Sequence, residues 1–177
     1  LENCRYTSLD DEEEYSIDVI QPEKIEFKQN SYEDGENSII SFPEFLLLVL
    51  DVCTGGEQPA SHYQPDKLIE KFDALKTHFT AGEFYEKMLY YRLLLDYYTI
   101  RRDIKDGQGN YSLILKGPKD DNDKLKQYQS MLYVSTEAFY NWLKPYLRKL
   151  EQDELQSCAE MLAFLKKEDN ERHGVLP

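Results

Sequence analysis

The residues of this chain best suited to chemistry are four cations. Arg101 and Arg102 are adjacent, and Lys105 and Lys116 follow on either side of the segment DGQGN (106–110). Four positive groups gathered at one hairpin are able to hold a phosphate through charge-assisted hydrogen bonds. The same groups are able to pair with neighbouring acids such as Asp103 and Asp106, and that bracing role is the plainer reading. Nothing else in the chain assembles a reactive set. There is no GxGxxG, P-loop, HExxH or GxSxG pattern. Gly107 and Gly109 lack the strand-before-helix setting of a phosphate cradle and read as a tight turn.

Metal chemistry finds no support either. Cys4, Cys53 and Cys158 lie far apart, with no CxxC and no Cys/His cluster. They read as reduced, buried thiols of an intracellular protein. The acids of GPKDDND (117–123) lack the glycine and downstream glutamate of a calcium loop. Glu171, Arg172 and His173 sit in the terminal tail with no second histidine to complete a metal site. His78 lies near the end of a helical stripe, where a cation suits the helix dipole and a structural role is expected. The sequence therefore predicts no catalytic residue, no metal and no cofactor within this stretch.

The elements that must position the cations are mostly helices. Ser41 and Glu44, then Thr80 and Glu83, have capping-box spacing and mark two helix starts. FPEFLLLVLDVC (42–53) is apolar almost all round, the pattern of a helix surrounded by others, and too short to span a bilayer. A second helix is predicted from Pro65, with Leu68, Ile69, Phe72, Leu75 and Phe79 on one face. From Phe84 to Ile100 the apolar and aromatic residues dominate, broken by a thin stripe of Arg92, Asp96 and Thr99. That pattern predicts a central helix packed on most sides, its tyrosines in the core rather than stacking on bases. Residues 99–104 and 111–116 then read as a two-stranded hairpin with Arg101 and Arg102 on opposite faces. Further helices are predicted over 125–134, from Thr136 with a kink at Pro145, and from Asp153.

Charge divides the chain. Its net charge is −13, and residues 1–40 hold twelve acids against three bases, a net of −9 that leaves −4 for the rest. The body is thus only mildly acidic, and a general affinity for phosphate backbones is not expected. Residues 1–40 read as an acidic connector: DDEEE (10–14) is solvated, Pro22 confines IDVIQPEKIEF (17–27) to an edge strand at most, and SYEDGENS (31–38) is turn chemistry. Residues 41–168 form the helical domain and 169–177 begin a second connector. The predicted fold is mainly α, a compact bundle of about six helices with one short two-stranded hairpin and an acidic, mostly irregular N-terminal segment. The chain begins at Leu1 and reads as a piece of a longer protein.

Three segments carry a resemblance: ISFPEFLLLVLDV (40–52), YRLLLDYYTIRRD (91–103) and LKQYQSMLYVSTEAFYNWL (125–143). Together they resemble the GmrSD-type restriction proteins, prokaryotic phage-defence enzymes with an N-terminal ParB-like domain and an HNH-type nuclease domain. Neither the ParB-like motif nor the HNH histidine cluster occurs here, so no catalytic residue of the family transfers to this chain. The resemblance implies the helical middle region, a scaffold or coupling domain in a cytoplasmic, nucleotide-dependent restriction protein acting on modified DNA. It leaves the nucleoside triphosphate, the divalent metal and the endonuclease activity to the parent protein. The implied partners are the flanking ParB-like and nuclease domains, in the same protein or on a partner chain, with DNA reached through the full-length protein and no membrane. The alternative reading is an independent protein-interaction domain that docks through acidic residues 10–36.

Overall fold

Three capping boxes set the starts of the main helices. The computed structural model describes residues 35–104, 110–119, 122–135 and 138–174, all within the unit Tyr32–Pro177. Helix α1 (Phe42–Cys53) opens at Ser41, whose backbone N–H donates to the Glu44 carboxylate at 2.7 Å while its hydroxyl accepts from the Glu44 N–H. Helix α2 (Leu68–Leu75) follows two short 3-10 turns, Ala60–His62 and Pro65–Lys67. Helix α3 (Ala81–Tyr98) repeats the capping box with Thr80 and Glu83. Such caps satisfy backbone donors that the helix itself cannot.

The sheet has three strands, not two. Strand β2 (Arg101–Ile104) pairs antiparallel with β3 (Tyr111–Ile114), as the alternation predicts, and also with β1 (Gly35–Ser38) on its other edge. Residues 35–38 had the composition of a turn. Backbone pairing with β2 draws them into the sheet regardless, because ladder hydrogen bonds do not depend on apolar side chains. Residues 35–38, read from sequence as part of the acidic connector, are thus the edge strand of this sheet. The expected strand at 17–27, residues 10–34 of the acidic segment 10–36, Lys105 and the start of a helix at Thr136 all lie outside the described residues.

Helices α4 (Asp123–Val134), α5 (Phe139–Glu151) and α6 (Cys158–His173) complete the fold. The fold is mainly α, with six α-helices among the described residues. Helix α5 runs through Pro145 and buries Trp142, Leu143, Tyr146, Leu147 and Leu150, the face its periodicity predicts. Helix α6 starts five residues later than Asp153. Asp153 adopts φ 55°, and Ser157 is the N-cap, in a third capping box with Glu160. The helix also outruns the expected boundary at 168 and ends at His173, where Gly174 takes the left-handed conformation at φ 65°.

Helix α1 is the centre of the packing. Phe45, Leu47, Leu48, Val49 and Leu50 are all buried, and α1 packs on α2 and α3 while α5 packs on α3 and α6. Each fully buried leucine contributes on the order of 1.5–3 kcal/mol of apolar transfer. Helix α3, expected to be the central one, is not. It buries Tyr91, Leu94 and Leu95 but leaves its opposite face open. Thr99, assigned by pattern to a solvent stripe, is fully buried instead, with its hydroxyl donating to the Leu95 carbonyl.

Candidate functional site

Among the described residues, a dense polar group surrounds Asp51, which is fully buried near the end of α1. Its Oδ1 accepts from the Gln58 N–H at 2.9 Å; its Oδ2 accepts from Lys144 Nζ at 2.9 Å and from the Tyr63 hydroxyl. Lys144 also donates to the Gly56 carbonyl at 3.2 Å and lies over the Tyr63 ring. Gly56 sits at φ 79° directly under Arg148, where a Cβ would come within 2.4 Å of the guanidinium. Burial pushes the Tyr63 hydroxyl far above its ordinary range, and the hydrogen bond to Asp51 adds to it. Beside it His62 donates from Nε2 to the Leu47 carbonyl at 2.8 Å, and burial holds its pKa below the ordinary value. Every Asp51 oxygen is thus engaged, and no face of the carboxylate meets solvent. The arrangement pins the loop after α1 to α5; a carboxylate so enclosed is out of reach of a substrate.

The cations singled out by sequence are brought to different partners. Arg101 reaches back to Asp96 at 3.7 Å, and Asp96 also holds Arg92 at 2.8 Å. Arg102 crosses β1, donating from Nε and Nη2 to the Ser38 carbonyl at 3.2 and 2.9 Å. Adjacent strand residues point to opposite faces, so the two arginines do not converge on one ligand. Lys116 is exposed just beyond β3. Arg101 and Arg102 thus tie the junction of helix and sheet through Asp96 and the Ser38 carbonyl.

What remains open is a surface. Tyr85, Leu89, Leu93 and Tyr97 recur every fourth residue along α3 and are 58%, 48%, 69% and 40% exposed. Tyr90 joins them at the side. Residues four apart lie on one helix face, so these side chains form one continuous apolar stripe with hydroxyls at its ends. Gly117 fixes the C-terminal end: its N–H donates to the Tyr97 carbonyl at 2.9 Å, and a Cβ there would collide with the Tyr97 ring. A helix that is apolar on all sides is ordinarily buried on all sides. Here the side opposite Tyr91 and Leu95 stays 40–69% exposed, with Gly117 packed against the ring at its Tyr97 end.

A second, shallower feature is the groove between α4 and α6, with a cavity of about 550 Å³ floored by Leu125, Cys158 and Leu162 and edged by Lys124 and Lys166. Lys166 lies 5.8 Å over the Tyr128 ring. Among the described residues no group of histidine, cysteine and acidic side chains is arranged to hold a metal ion, and no helix is long and apolar enough to cross a membrane. No family model, curated protein or solved structure matches this chain. Sequence reasoning passed over both principal features. The Asp51 group joins residues remote in sequence and carries no local signal. The α3 stripe did carry one, the four-residue recurrence of Tyr, Leu, Leu and Tyr, but it was indistinguishable from a second core face.

Proposed function

We propose that this domain is a non-catalytic helical scaffold that couples neighbouring parts of a larger protein. The observation that supports it is the uncovered apolar face of α3, on a helix whose composition asks for cover on every side. Its most elaborate polar group, around Asp51, is spent on internal structure. Taken with the resemblance, the larger protein is a prokaryotic, nucleotide-dependent restriction protein directed at modified DNA, and the neighbours are its ParB-like and nuclease domains. The scaffold then transmits a nucleotide-dependent change to the nuclease through packed helices.

The test is turnover. Purified chain incubated with plasmid or phage DNA, Mg²⁺ or Mn²⁺ and each nucleoside triphosphate is expected to cleave and hydrolyse nothing. Activity that survives repurification and tracks the protein overturns the reading.

A further inference from the structure

We infer that the exposed face of α3 is a twofold interface between two copies of this chain. The inference rests on the reading of the domain as a scaffold and commits that face to a second copy, so that the parts the scaffold couples are those carried by two chains joined through α3. Its basis is the order of the side chains. Tyr85, Leu89, Leu93 and Tyr97 read the same in both directions along the helix. An isologous interface must be complementary to itself, and a palindromic stripe meets that requirement when two helices run antiparallel. Centred beside Tyr91, such a pairing sets Leu89 against Leu93 of the second copy and Tyr85 against its Tyr97. The uniform spacing of four is also the ridge that interdigitates with its own kind, crossing at about −50°.

The polar groups agree with that arrangement. Tyr90, 41% exposed on the flank of the stripe and close to the axis, meets its own counterpart. Glu86, exposed beside the stripe, faces the hydroxyl of the opposing Tyr97 and accepts from it. Arg92, on the other flank, brings no unbalanced repulsion to the axis, because Asp96 already holds it at 2.8 Å. The apolar patch is on the order of 500 Å² by the ordinary areas of such side chains, large for a monomer. Two such patches give roughly 1,000 Å² in total, below the standard interface, which sets the dimer in the weak, concentration-dependent class.

Analytical ultracentrifugation of the full chain, 20.9 kDa as a monomer, across the micromolar range is the first test. A reversible rise toward twice that mass is expected, weakened at least tenfold by Leu93→Glu and by Leu89→Glu, each with unchanged circular dichroism because both positions are exposed. A chain that stays monomeric, or a dimer indifferent to both substitutions, overturns the inference and leaves the scaffold reading to its turnover assay. Orientation is tested with Leu89→Cys and Leu93→Cys chains in which Cys4, Cys53 and Cys158 are replaced by alanine. Oxidising the mixture is expected to link one variant to the other more than either to itself. Preferential self-linking would mean a parallel pair and overturns the proposal.

Discussion

Asp51 on α1 and Lys144 on α5 stand 93 residues apart in the chain and meet at 2.9 Å, the carboxylate fully buried and the lysine side chain 17% exposed. A buried ion pair is weak evidence of net stability, since both charges have lost their hydration. Removing one partner is another matter. Lys144→Met leaves Asp51 enclosed with only the Gln58 N–H and the Tyr63 hydroxyl to offset its charge. The expected loss is about 3–5 kcal/mol, read as a fall in the urea midpoint. Asp51→Leu combined with Lys144→Met is expected to recover part of it; a double variant no better than the sum of the singles would show that the two residues act independently.

His62 makes stability depend on pH in a defined direction. Burial is the main reason its pKa lies below the ordinary 6.5; Lys71 and Lys144 push the same way, while the Leu47 carbonyl and Asp51 oppose them. The unfolded chain therefore takes up a proton near pH 6.5 that the folded chain refuses. The stability contribution is complete above that value and is lost as pH falls toward the depressed folded value. Thermal midpoints are expected to drop between about pH 7.5 and 5.5, with a shallower drop in His62→Phe. A histidine titration by NMR that places His62 at or above 6.5 would reverse the sign and refute the account.

Local signals were legible and long-range ones were not. Ser41 with Glu44 and Thr80 with Glu83 announce helix starts within four residues, and the structure has both boxes. Ser157 with Glu160 carries the same signature, yet Asp153 and Leu155 mimic an earlier start, and only the positive φ at Asp153 rules it out. The face of α5 is legible because burial there follows one 3.6-residue period. Strand β1 is not, because its partner lies more than sixty residues away and its own side chains are polar. In the candidate site, alternation foretold that Arg101 and Arg102 face apart, but neither Asp96 nor the Ser38 carbonyl could be chosen from spacing. Pattern shows that α3 is apolar on two sides; it does not say which side the rest of this chain covers.

Three consecutive leucines test that division directly. Leu93 is 69% exposed, while Leu94 and Leu95 are buried. Truncating Leu94 or Leu95 to alanine is expected to cost about 2–5 kcal/mol through lost transfer and the cavity left behind. Leu93→Ala, on the open face, is expected to change monomer stability by less than about 0.5 kcal/mol. Denaturation measured at concentrations too low for association separates the three; equal losses at all of them would mean the face of α3 is covered within the monomer.

The arginines at the end of α3 yield the last prediction. Arg102 joins β2 to β1 through two donations to the Ser38 carbonyl, and Arg101 ties the start of β2 to Asp96 on the helix. Arg102→Ala removes those donors without adding a clash, so β1 is expected to lose its hold while the helices stay intact. Amide exchange at Asn37 and Ser38 should quicken well before the global midpoint moves. If the arginines instead bound DNA phosphates, the double alanine variant would remove about two units from the slope of log affinity against log salt. Bracing predicts no such change, because both side chains are already committed to protein groups and point to opposite faces. Any DNA binding by the chain is then no tighter than the roughly 10⁻⁴–10⁻⁶ M of non-specific contacts at physiological salt. A submicromolar, salt-sensitive complex lost in the double variant would make this junction a DNA-contacting site and overturn the bracing account.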